Sequence, residues 1–549
     1  MRAAARSGAD FAVGSLVSRS DIRVDSFALP TPRPIRGGNT REHGPGGSTT
    51  MTPKKAPAAT PQAATGKRSK RQHSTRTHQG NQGPTLGSAR MRQTDDKPAQ
   101  AERGPREAAS HVDDNLIVEL AWNYDLKRED FIVFDRTTGK VSRCVEVDTV
   151  SGPIMPPAGL RGIVTPDGEI GGMVLLPTAS DRSAVDTMKL WIAVRAFINR
   201  YVQLPGEAME VAVAFVFLSW VHDRFDEVPY VAFRTPERGK GKSRALETVG
   251  TLCYRPILCG GGSTAAAVLR LVDSLGGTLI ADEFDQKHHT DLAAALTQIL
   301  NQGFQRNRPI VKCVGDENRP KPFRCFGPKM FAFRLGFADD ATESRTLSIR
   351  MRQRTRRDIP LNPPRRQFNN EALALRNKLL AWRFANFGKV KLNPGLADPR
   401  LEDRLNQIGL PLLAVAPGQS TTSIIRMALR DMQRRIASDR LDTLAGEVWQ
   451  SIVEMAKPGQ IVRPGEVADR VNKRRGNSSG GRWAVGSEKV GRVLLHDLEL
   501  ERTRDAQGTC YRLTEERLAE LRCRFDGVAT ETATTATTAR RRRRTVRQR

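Results

Sequence analysis

The chain has 549 residues and a net charge of +28, with 88 lysines and arginines against 60 aspartates and glutamates. This length allows two or three domains with a real core, and the excess of positive charge favours a polyanionic partner such as nucleic acid. The seven cysteines are odd in number and form no C-x-x-C pair, which argues against a disulfide framework or a zinc ribbon and fits a reducing cytoplasm.

Residues 1–110 are rich in Pro, Gly, Ser, Thr, Arg and Lys and poor in large apolar side chains. Because such a segment cannot bury enough surface to offset the entropy of ordering, we predict that it is disordered. It lacks the apolar stretch that secretory signals need, so we expect a cytoplasmic protein. The string Met51-Thr52-Pro53-Lys54-Lys55 resembles a natural beginning, and we hypothesise that the functional chain starts there.

Residues 111–180 consist of short apolar runs separated by turn residues. Phe131 and Val133 precede the string Thr137-Thr138-Gly139-Lys140, and Val141, Val145 and Val147 follow it at alternating positions, which is a hairpin pattern. The segment is therefore predicted to be a small β-rich module. A docking role and a purely structural role remain equally open for it.

Residues 181–228 repeat apolar side chains mostly at three- and four-residue spacing, which predicts a helical segment leading into the next domain. The run from Val211 to Trp220 is the longest apolar stretch of the chain, but it is too short to cross a bilayer. We interpret it as a buried helix and expect no membrane association.

The following string, Thr235-Pro236-Glu237-Arg238-Gly239-Lys240-Gly241-Lys242-Ser243, separates a short β-prone run from good helix formers. A glycine-rich turn at this place lies where the first amides of a helix are unpaired, so an anion fits there. In a G-K-[ST] ending, Lys242 is expected to reach the β- and γ-phosphates and Ser243 to ligate Mg²⁺. The first glycine of the usual pattern is replaced by Pro236, whose φ is fixed near −65°, so the start of the loop must differ.

A second apolar strand, Gly277 to Ala281, ends in Asp282 and Glu283, as a Walker B strand does. A carboxylate at this tip can hold the Mg²⁺ shell, and the adjacent Glu283 can activate the attacking water as a general base. Each motif alone is weak, since an Asp-Glu pair after a strand is often a solvated turn. The two motifs in this order, each after a strand, favour a nucleotide site.

The stretch from Pro229 to about Pro360 resembles the helicase-like ATPase domains of phage- and plasmid-type primase-helicases. The strings that carry the resemblance are Pro236 to Arg244, Ser263 to Leu271, Thr278 to Asp285, Leu300 to Phe304, Phe326 to Lys329 and Asp340 to Arg345. The resemblance implies an α/β fold with a RecA/AAA-like P-loop NTPase core over residues 229–360. It also implies ATP with Mg²⁺ as cofactors, DNA as substrate, a homo-oligomeric ring, and a primase or another replication protein as partner.

The same resemblance assigns roles to individual residues. Gly239, Gly241, Lys242 and Ser243 are expected to contact the nucleotide, and we extend this set to the neighbouring Lys240 and Arg244. Asp282 is expected to hold the metal together with Ser243, Glu283 to act on water, and Arg345 to be an arginine finger. A guanidinium suits the last role because its fixed fork can bridge γ-phosphate oxygens.

One position departs from the helicase pattern. The run from Met330 to Phe333 ends in Arg334, where a polar residue such as Asn is expected. How this protein senses the phosphate therefore stays open.

Residues 361–444 are predicted to form a helical lid or linker, and residues 445–525 three helices and a hairpin, the composition of a winged helix. Its third helix is expected to enter a major groove while Arg502, Arg504 and Arg512 contact phosphates. Residues 526–549 form a basic tail, predicted to be disordered, that would bind any polyanion.

The sequence thus predicts a DNA-dependent ATPase of mobile-element type, a helicase-like motor. Two alternatives remain open: a DNA-binding protein that keeps ATP as a structural ligand, and a ring ATPase that remodels protein partners.

Overall fold

A computed structural model of the protein describes residues 104–160, 162–166, 172–181, 186–260, 262–282, 291–316, 318–334, 337, 339–455, 457, 459–476 and 484–526. The predicted disordered segment up to residue 103 and the basic tail from residue 527 lie outside these ranges. Within the described ranges, we find no helix with the length and apolar character that a bilayer crossing requires.

Short strands make up the first described part of the chain. They are β1 (Arg106–Glu107), β2 (Ser110–Val112), β3 (Leu116–Asn123), β4 (Arg128–Asp135), β5 (Val141–Cys144), β6 (Val147–Thr149), β7 (Gly152–Met155), β8 (Val164–Thr165) and β9 (Val174–Leu175). An antiparallel sheet has the order β2-β3-β4-β5, and a second sheet has the order β1-β7-β6. The hairpin between β4 and β5 forms because Asp135 accepts hydrogen bonds from the amides of Thr137 and Thr138 and Gly139 adopts a φ of 68°.

This β-rich part does not stand apart from the rest of the protein. On β3, Val118 and Leu120 pack with β-rich neighbours, whereas Ile117 and Ala121 belong to the large core that the later helices share. A strand that is buried on both faces has a nearly continuous apolar sequence, so apolar and polar residues alternate only weakly along β3. The predicted boundary at His111 falls inside β2, so the module is broader than the sequence pattern indicates.

Two helices, α1 (Thr187–Tyr201) and α2 (Ala208–Trp220), follow the strands, and a short 3₁₀ turn covers His222–Arg224. The side chain of Asp186 caps α1 by accepting from the amides of Met188 and Lys189. Every side chain of α2 from Met209 to Trp220 is buried, as expected for a helix that is apolar all round. The apolar run predicted as a buried helix therefore lies at the centre of the core.

The central part of the chain alternates strands and helices. The elements are β10 (Tyr230–Arg234), α3 (Lys242–Gly250), β11 (Pro256–Cys259), α4 (Ala265–Leu275), β12 (Thr278–Asp282), α5 (Asp291–Gln302), β13 (Ile310–Val314), β14 (Arg319–Phe323), β15 (Lys329–Phe333), α6 (Asp340–Glu343) and β16 (Thr346–Arg350). The sheet order is β16-β10-β15-β12-β11-β9-β8, and the strands from β16 to β11 in this order are parallel. The predicted α/β class is confirmed. Strands β13 and β14 form a separate hairpin.

Helices dominate the rest of the chain. They are α7 (Arg365–Asn386), α8 (Asp403–Ala414), α9 (Gln419–Leu441), α10 (Leu444–Met455), α11 (Pro464–Arg474), α12 (Ser487–Arg492) and α13 (Glu515–Asp526). A 3₁₀ turn covers Pro394–Leu396, and a π-helical turn, Val493–Asp497, extends α12. Strands β17 (Ile461–Val462), β18 (Glu501–Asp505) and β19 (Gly508–Arg512) form an antiparallel sheet in the order β17-β19-β18. Helices α10 to α12 and this sheet enclose a core of their own around Trp449 and Leu494.

A cluster of buried charges ties the β-rich part to the later helices. Glu119 on β3 accepts hydrogen bonds from Arg255 at 2.5 Å, from Arg383 at 2.7 Å and from the hydroxyl of Tyr254 at 2.7 Å. The Arg383 guanidinium also donates to both carboxylate oxygens of Asp223, at 2.8 and 2.7 Å. Only about 1% of the side chain of Glu119, Arg255 or Arg383 is exposed. We call this set the Glu119 cluster.

Lys329 is a second buried charge, at the start of β15. Its ammonium group donates to the carbonyls of Gly303, Cys325 and Gly327, at 3.2, 2.9 and 2.9 Å. Burial in this place lowers the pKa of Lys329 to about 8.

Stability should therefore rise in alkaline solution. Between pH 8 and about 10.4, the usual pKa of lysine, the unfolded chain keeps a proton that folded Lys329 has released, so the free energy of unfolding increases with pH. We expect a gain of about 3 kcal/mol over this window relative to Lys329→Met. Urea unfolding at a series of pH values measures it, and parallel curves for the two proteins would contradict the assignment.

Candidate nucleotide site

The glycine-rich loop joins the carboxyl end of β10 to the first residue of α3. Gly239 and Gly241 adopt φ values of 73° and 82°, a left-handed conformation that residues with a side chain rarely take. Gly241 is the N-cap of α3, and no side chain caps this helix. The first amides of a helix have no partner inside the helix, so those of α3 can serve an anion held by this loop.

Lys242 is the first residue of α3 and folds back over the loop. Its Nζ donates to the carbonyl of Thr235 at 3.3 Å and to that of Glu237 at 3.2 Å. The ammonium group therefore spans the loop from one side to the other. Ser243 lies beside it in the first helical turn, with its side chain exposed. This arrangement can offer backbone amides, an ammonium group and a hydroxyl to one phosphate chain.

The neighbouring cations of the loop have other partners. Lys240 forms an ion pair with Glu237 at 2.7 Å and donates to the side-chain oxygen of Gln353, also at 2.7 Å. Arg244 donates to the carbonyls of Pro360 and Leu361, at 3.3 and 2.8 Å. Both side chains fasten the loop to the segment after β16.

Asp282 ends β12, two strands away from the loop strand. The pairing register places Asp282 beside Ala332 of β15, and Ala332 beside Phe233 of β10. Since neighbouring strands are about 4.8 Å apart, the backbones of Asp282 and Phe233 are separated by about 10 Å. The carboxylate thus lies at the same edge of the sheet as the loop. Glu283, the predicted general base, lies outside the described residues.

Strand β15 separates the two motifs, and Arg334 directly follows its last residue. The Arg334 side chain is exposed at the carboxyl edge, between the ends of β10 and β12. From the sequence, this position is identified only as one where the expected Asn is missing. The apolar run of β15 is typical of a central strand, but the strand order that places Arg334 between the two motif strands cannot be read from one sequence.

Arg345 lies at the opposite edge of the sheet. Its carbonyl accepts from the amide of Tyr230, the first residue of β10, so it is at the amino end of the strands. Its Nη1 donates to the carbonyl and the side-chain oxygen of Asn301, at 3.2 and 3.1 Å, and its guanidinium lies 5.4 Å from the ring centre of Phe304. The strand length therefore separates Arg345 from the loop of its own chain.

The three arginines predicted to contact DNA are all exposed on the terminal hairpin. In the pairing register, Arg502 is opposite Tyr511 and Arg504 opposite Thr509, whereas Arg512 is opposite Glu501. Because side chains alternate along a strand, Arg502 and Arg504 share one face of the hairpin and Arg512 lies on the other. The three residues do not form one surface.

The residues at the carboxyl edge fit a magnesium ion that is held partly by the nucleotide. Ser243 and Asp282 supply oxygen ligands, and Mg²⁺ bound with a nucleotide takes one or two protein groups while phosphates and water complete its shell. Among the described residues, no group of three His, Cys, Asp or Glu side chains is placed to hold a metal ion alone. A protein-only metal centre is thus not part of the described structure.

Comparisons with known proteins complete the description of the site. No protein-family model and no curated protein matches the chain. Similar solved structures include the C-terminal region of NrS-1 in its A-form apo state, with 10% identity, a TM-score of 0.30, and coverage of 72% of this chain and 96% of that one. They also include Cch of SCCmec type IV, described as an active helicase, with 12% identity, a TM-score of 0.32, and coverage of 74% and 96%. TM-scores of this size are too low to carry an inference, so we infer the function of this chain from its own geometry.

Proposed function

We propose that the protein is a DNA-dependent ATPase that works as a helicase-like motor. The observation that carries this proposal is the shared position of the Lys242 loop and the Asp282 carboxylate at the carboxyl edge of one parallel sheet, where α/β proteins bind their ligands. Strand β15 lies between the two motif strands, the arrangement of the RecA/AAA-like core that the sequence resembles.

In this proposal the described residues divide the work. The amides around Gly239 and Gly241 hold phosphate oxygens, Lys242 binds the β- and γ-phosphates, and Ser243 and Asp282 orient the magnesium ion. Glu283, outside the described residues, keeps its predicted role on the attacking water. ATP with Mg²⁺ supplies the phosphoryl group that is transferred to water.

We propose a smaller set of nucleotide contacts than the sequence predicts. Lys240 and Arg244 are engaged by Glu237, Gln353 and the carbonyls after β16, so we assign them to holding the loop in shape. We add Arg334, because an exposed guanidinium between the ends of β10 and β12 can reach a phosphate held there.

DNA contact is proposed for the C-terminal part, residues 445–525, which we interpret as a winged helix. The three helices α10 to α12 and the antiparallel sheet support this interpretation, and a fourth helix, α13, packs on the same core. Arg502 and Arg504 are the pair that can follow one phosphate strand together, and Arg512 on the other face would meet a different strand or none.

ATP turnover with and without single-stranded DNA tests the function. A motor is expected to hydrolyse ATP slowly alone and at least about tenfold faster with DNA, because its ATP hydrolysis is coupled to DNA binding. Tight ATP binding without turnover would instead support a DNA-binding protein with a structural nucleotide. Turnover that ignores DNA would support a ring that remodels protein partners.

Arg345 is proposed as an arginine finger that acts on a neighbouring subunit. It lies at the amino edge of the sheet, so it cannot reach a nucleotide bound at the carboxyl edge of its own chain. Arg345→Ala should bind ATP normally and hydrolyse it poorly, since a finger acts mainly on transition-state charge. Lys242→Ala should also be inactive. Mixing the two variants should restore part of the activity, because some interfaces then combine an intact loop with an intact finger.

Native mass spectrometry provides the control for the mixing experiment by showing that mixed oligomers form. If mixed oligomers form and activity stays absent, Arg345 is not a finger for a neighbouring subunit. Its contacts with Asn301 and Phe304 then indicate a structural role, in which it packs the start of β16 against the end of α5.

A further inference from the structure

A cavity of about 390 Å³ lies between the turn before α2, the end of β16 and one side of α9. It is separate from the loop of Lys242, none of whose residues lines it. Its lining contains two carboxylates, Glu207 and Asp431, and five guanidinium groups, which belong to Arg350, Arg352, Arg430, Arg434 and Arg435. We call this cavity the arginine pocket.

Carboxylates hold most of these arginines in place. Asp431, inside the lining, pairs with Arg434 at 3.3 Å and with Arg435. Asp398 pairs with Arg430 at 2.6 Å, and Asp439 pairs with Arg350. Neither of these aspartates is among the residues that line the cavity. Arg352 is exposed and has no carboxylate partner among the described residues.

The ion pairs therefore orient the guanidinium groups without using all of their donors. A guanidinium carries five N–H groups, and one carboxylate accepts at most two or three of them.

The strand side of the pocket offers a further polar group. Ser348 and Arg350 share one face of β16, since side chains alternate along a strand. The Ser348 hydroxyl is buried and makes no hydrogen bond within the described part of the chain. A buried hydroxyl without a partner is unusual, and Ser348 is also one of the residues that line the cavity. Helix α2 begins at Ala208 in the same lining, and the carboxylate of its N-cap residue Glu207 counteracts the positive end of that helix.

Apolar side chains complete the wall. Pro205, Ala208, Met427 and Met432 line the cavity, and 51% of the Met427 surface is exposed. A cavity of this volume whose lining combines apolar and polar groups falls within the range of small-ligand sites. Arginine forks match the geometry of phosphate oxygens, and methionine adapts to flat apolar rings. The combination suits a phosphate group attached to a nucleoside.

We propose that the arginine pocket is a second phosphate-binding site, which takes a phosphate group of a nucleotide or of a nucleic-acid strand. The strand end that lines it also touches the first site. Arg350 and Arg352 line the pocket, whereas the Met351 methyl lies 4.0 Å from the position of a Cβ on Gly241 and Gln353 accepts from Lys240 at 2.7 Å. Residues 350–353 thus connect the arginine pocket to the Lys242 loop along the chain.

The test uses the full chain with Lys242→Ala as background, so that the phosphate loop contributes little. Pyrophosphate is titrated while the melting temperature is followed, because a ligand that binds the folded state raises it. Arg352→Gln with Arg434→Gln should weaken the apparent affinity for pyrophosphate at least about tenfold. Both side chains are exposed, so the unliganded melting temperature should stay unchanged.

Arg128→Gln is the matched control, since Arg128 is exposed at the start of β4 and outside the pocket. It should leave the affinity unchanged. Competition then identifies the source of the phosphate: displacement by a 20-nucleotide oligothymidine indicates a nucleic-acid strand, and displacement by AMP alone indicates a free nucleotide. Equal pyrophosphate affinities for the background and for the double arginine variant would overturn the proposal, whatever the ATPase assays show.

Discussion

Replacing Lys242 by alanine is expected to reduce ATP turnover at least about a hundredfold, as removal of a transition-state donor does in other enzymes. The Lys242 ammonium group spans the loop and is held by the carbonyls of Thr235 and Glu237, so it is already placed where the phosphates would lie. Backbone amides alone cannot replace its positive charge. A coupled assay of phosphate release with saturating ATP and DNA measures the effect.

Lys240→Ala is the matched control for this prediction. Lys240 lies in the same loop and carries the same charge, but its partners are Glu237 and Gln353. We expect it to lower turnover less than about tenfold, through a looser loop. Wild-type turnover in Lys242→Ala, or equal losses in both variants, would refute the assignment of Lys242 to the phosphates.

Local signals explain what could be predicted from the sequence. The glycines of the loop mark left-handed backbone, and Gly239 and Gly241 adopt it. The apolar run before Asp282 forms β12. Each of these features is decided by residues within a few positions of one another, which is the range over which sequence patterns carry information.

Features that depend on distant parts of the chain were not predictable. The insertion of β15 between β10 and β12 places Arg334 between the ends of the two motif strands, and the parallel pairing of β16 with β10 leaves Arg345 at the amino edge. Strands β8 and β9 join the central sheet although they precede it by many residues. The arginine pocket likewise combines the end of β16 with α9. Strand order and side-chain convergence follow from global packing, which a single sequence does not encode locally.

The Glu119 cluster, which we expect to contribute to the stability of the protein, also depends on distant parts of the chain. Within the apolar run of β3, Glu119 has the pattern of a solvent-facing residue, yet its partners Arg255 and Arg383 lie 136 and 264 positions away in the sequence. Only the fold brings them together. Because these charges are almost fully buried, each depends on the others for compensation.

Glu119→Gln should therefore destabilise the protein by about 3–5 kcal/mol, the usual cost of breaking a buried ion pair by removing one partner. The substitution keeps the volume and two polar atoms, so the effect comes from the buried guanidinium of Arg255, which loses its carboxylate partner, and from that of Arg383, which keeps only Asp223. Urea unfolding followed by tryptophan fluorescence measures this loss of stability, because two tryptophans lie beside the cluster. The carbonyl of Trp220 accepts a hydrogen bond from Arg383, and the buried Trp382 precedes Arg383 in α7.

Glu146→Gln is the matched control, because Glu146 lies in the same β-rich part with an exposed side chain. It should change the free energy of unfolding by less than about 0.5 kcal/mol, as surface substitutions usually do. The comparison separates loss of charge compensation from loss of a carboxylate as such. If Glu119→Gln were as mild as Glu146→Gln, water or another anion would have to reach Arg255 and Arg383, and the cluster would not be what fixes β3 to β11 and α7.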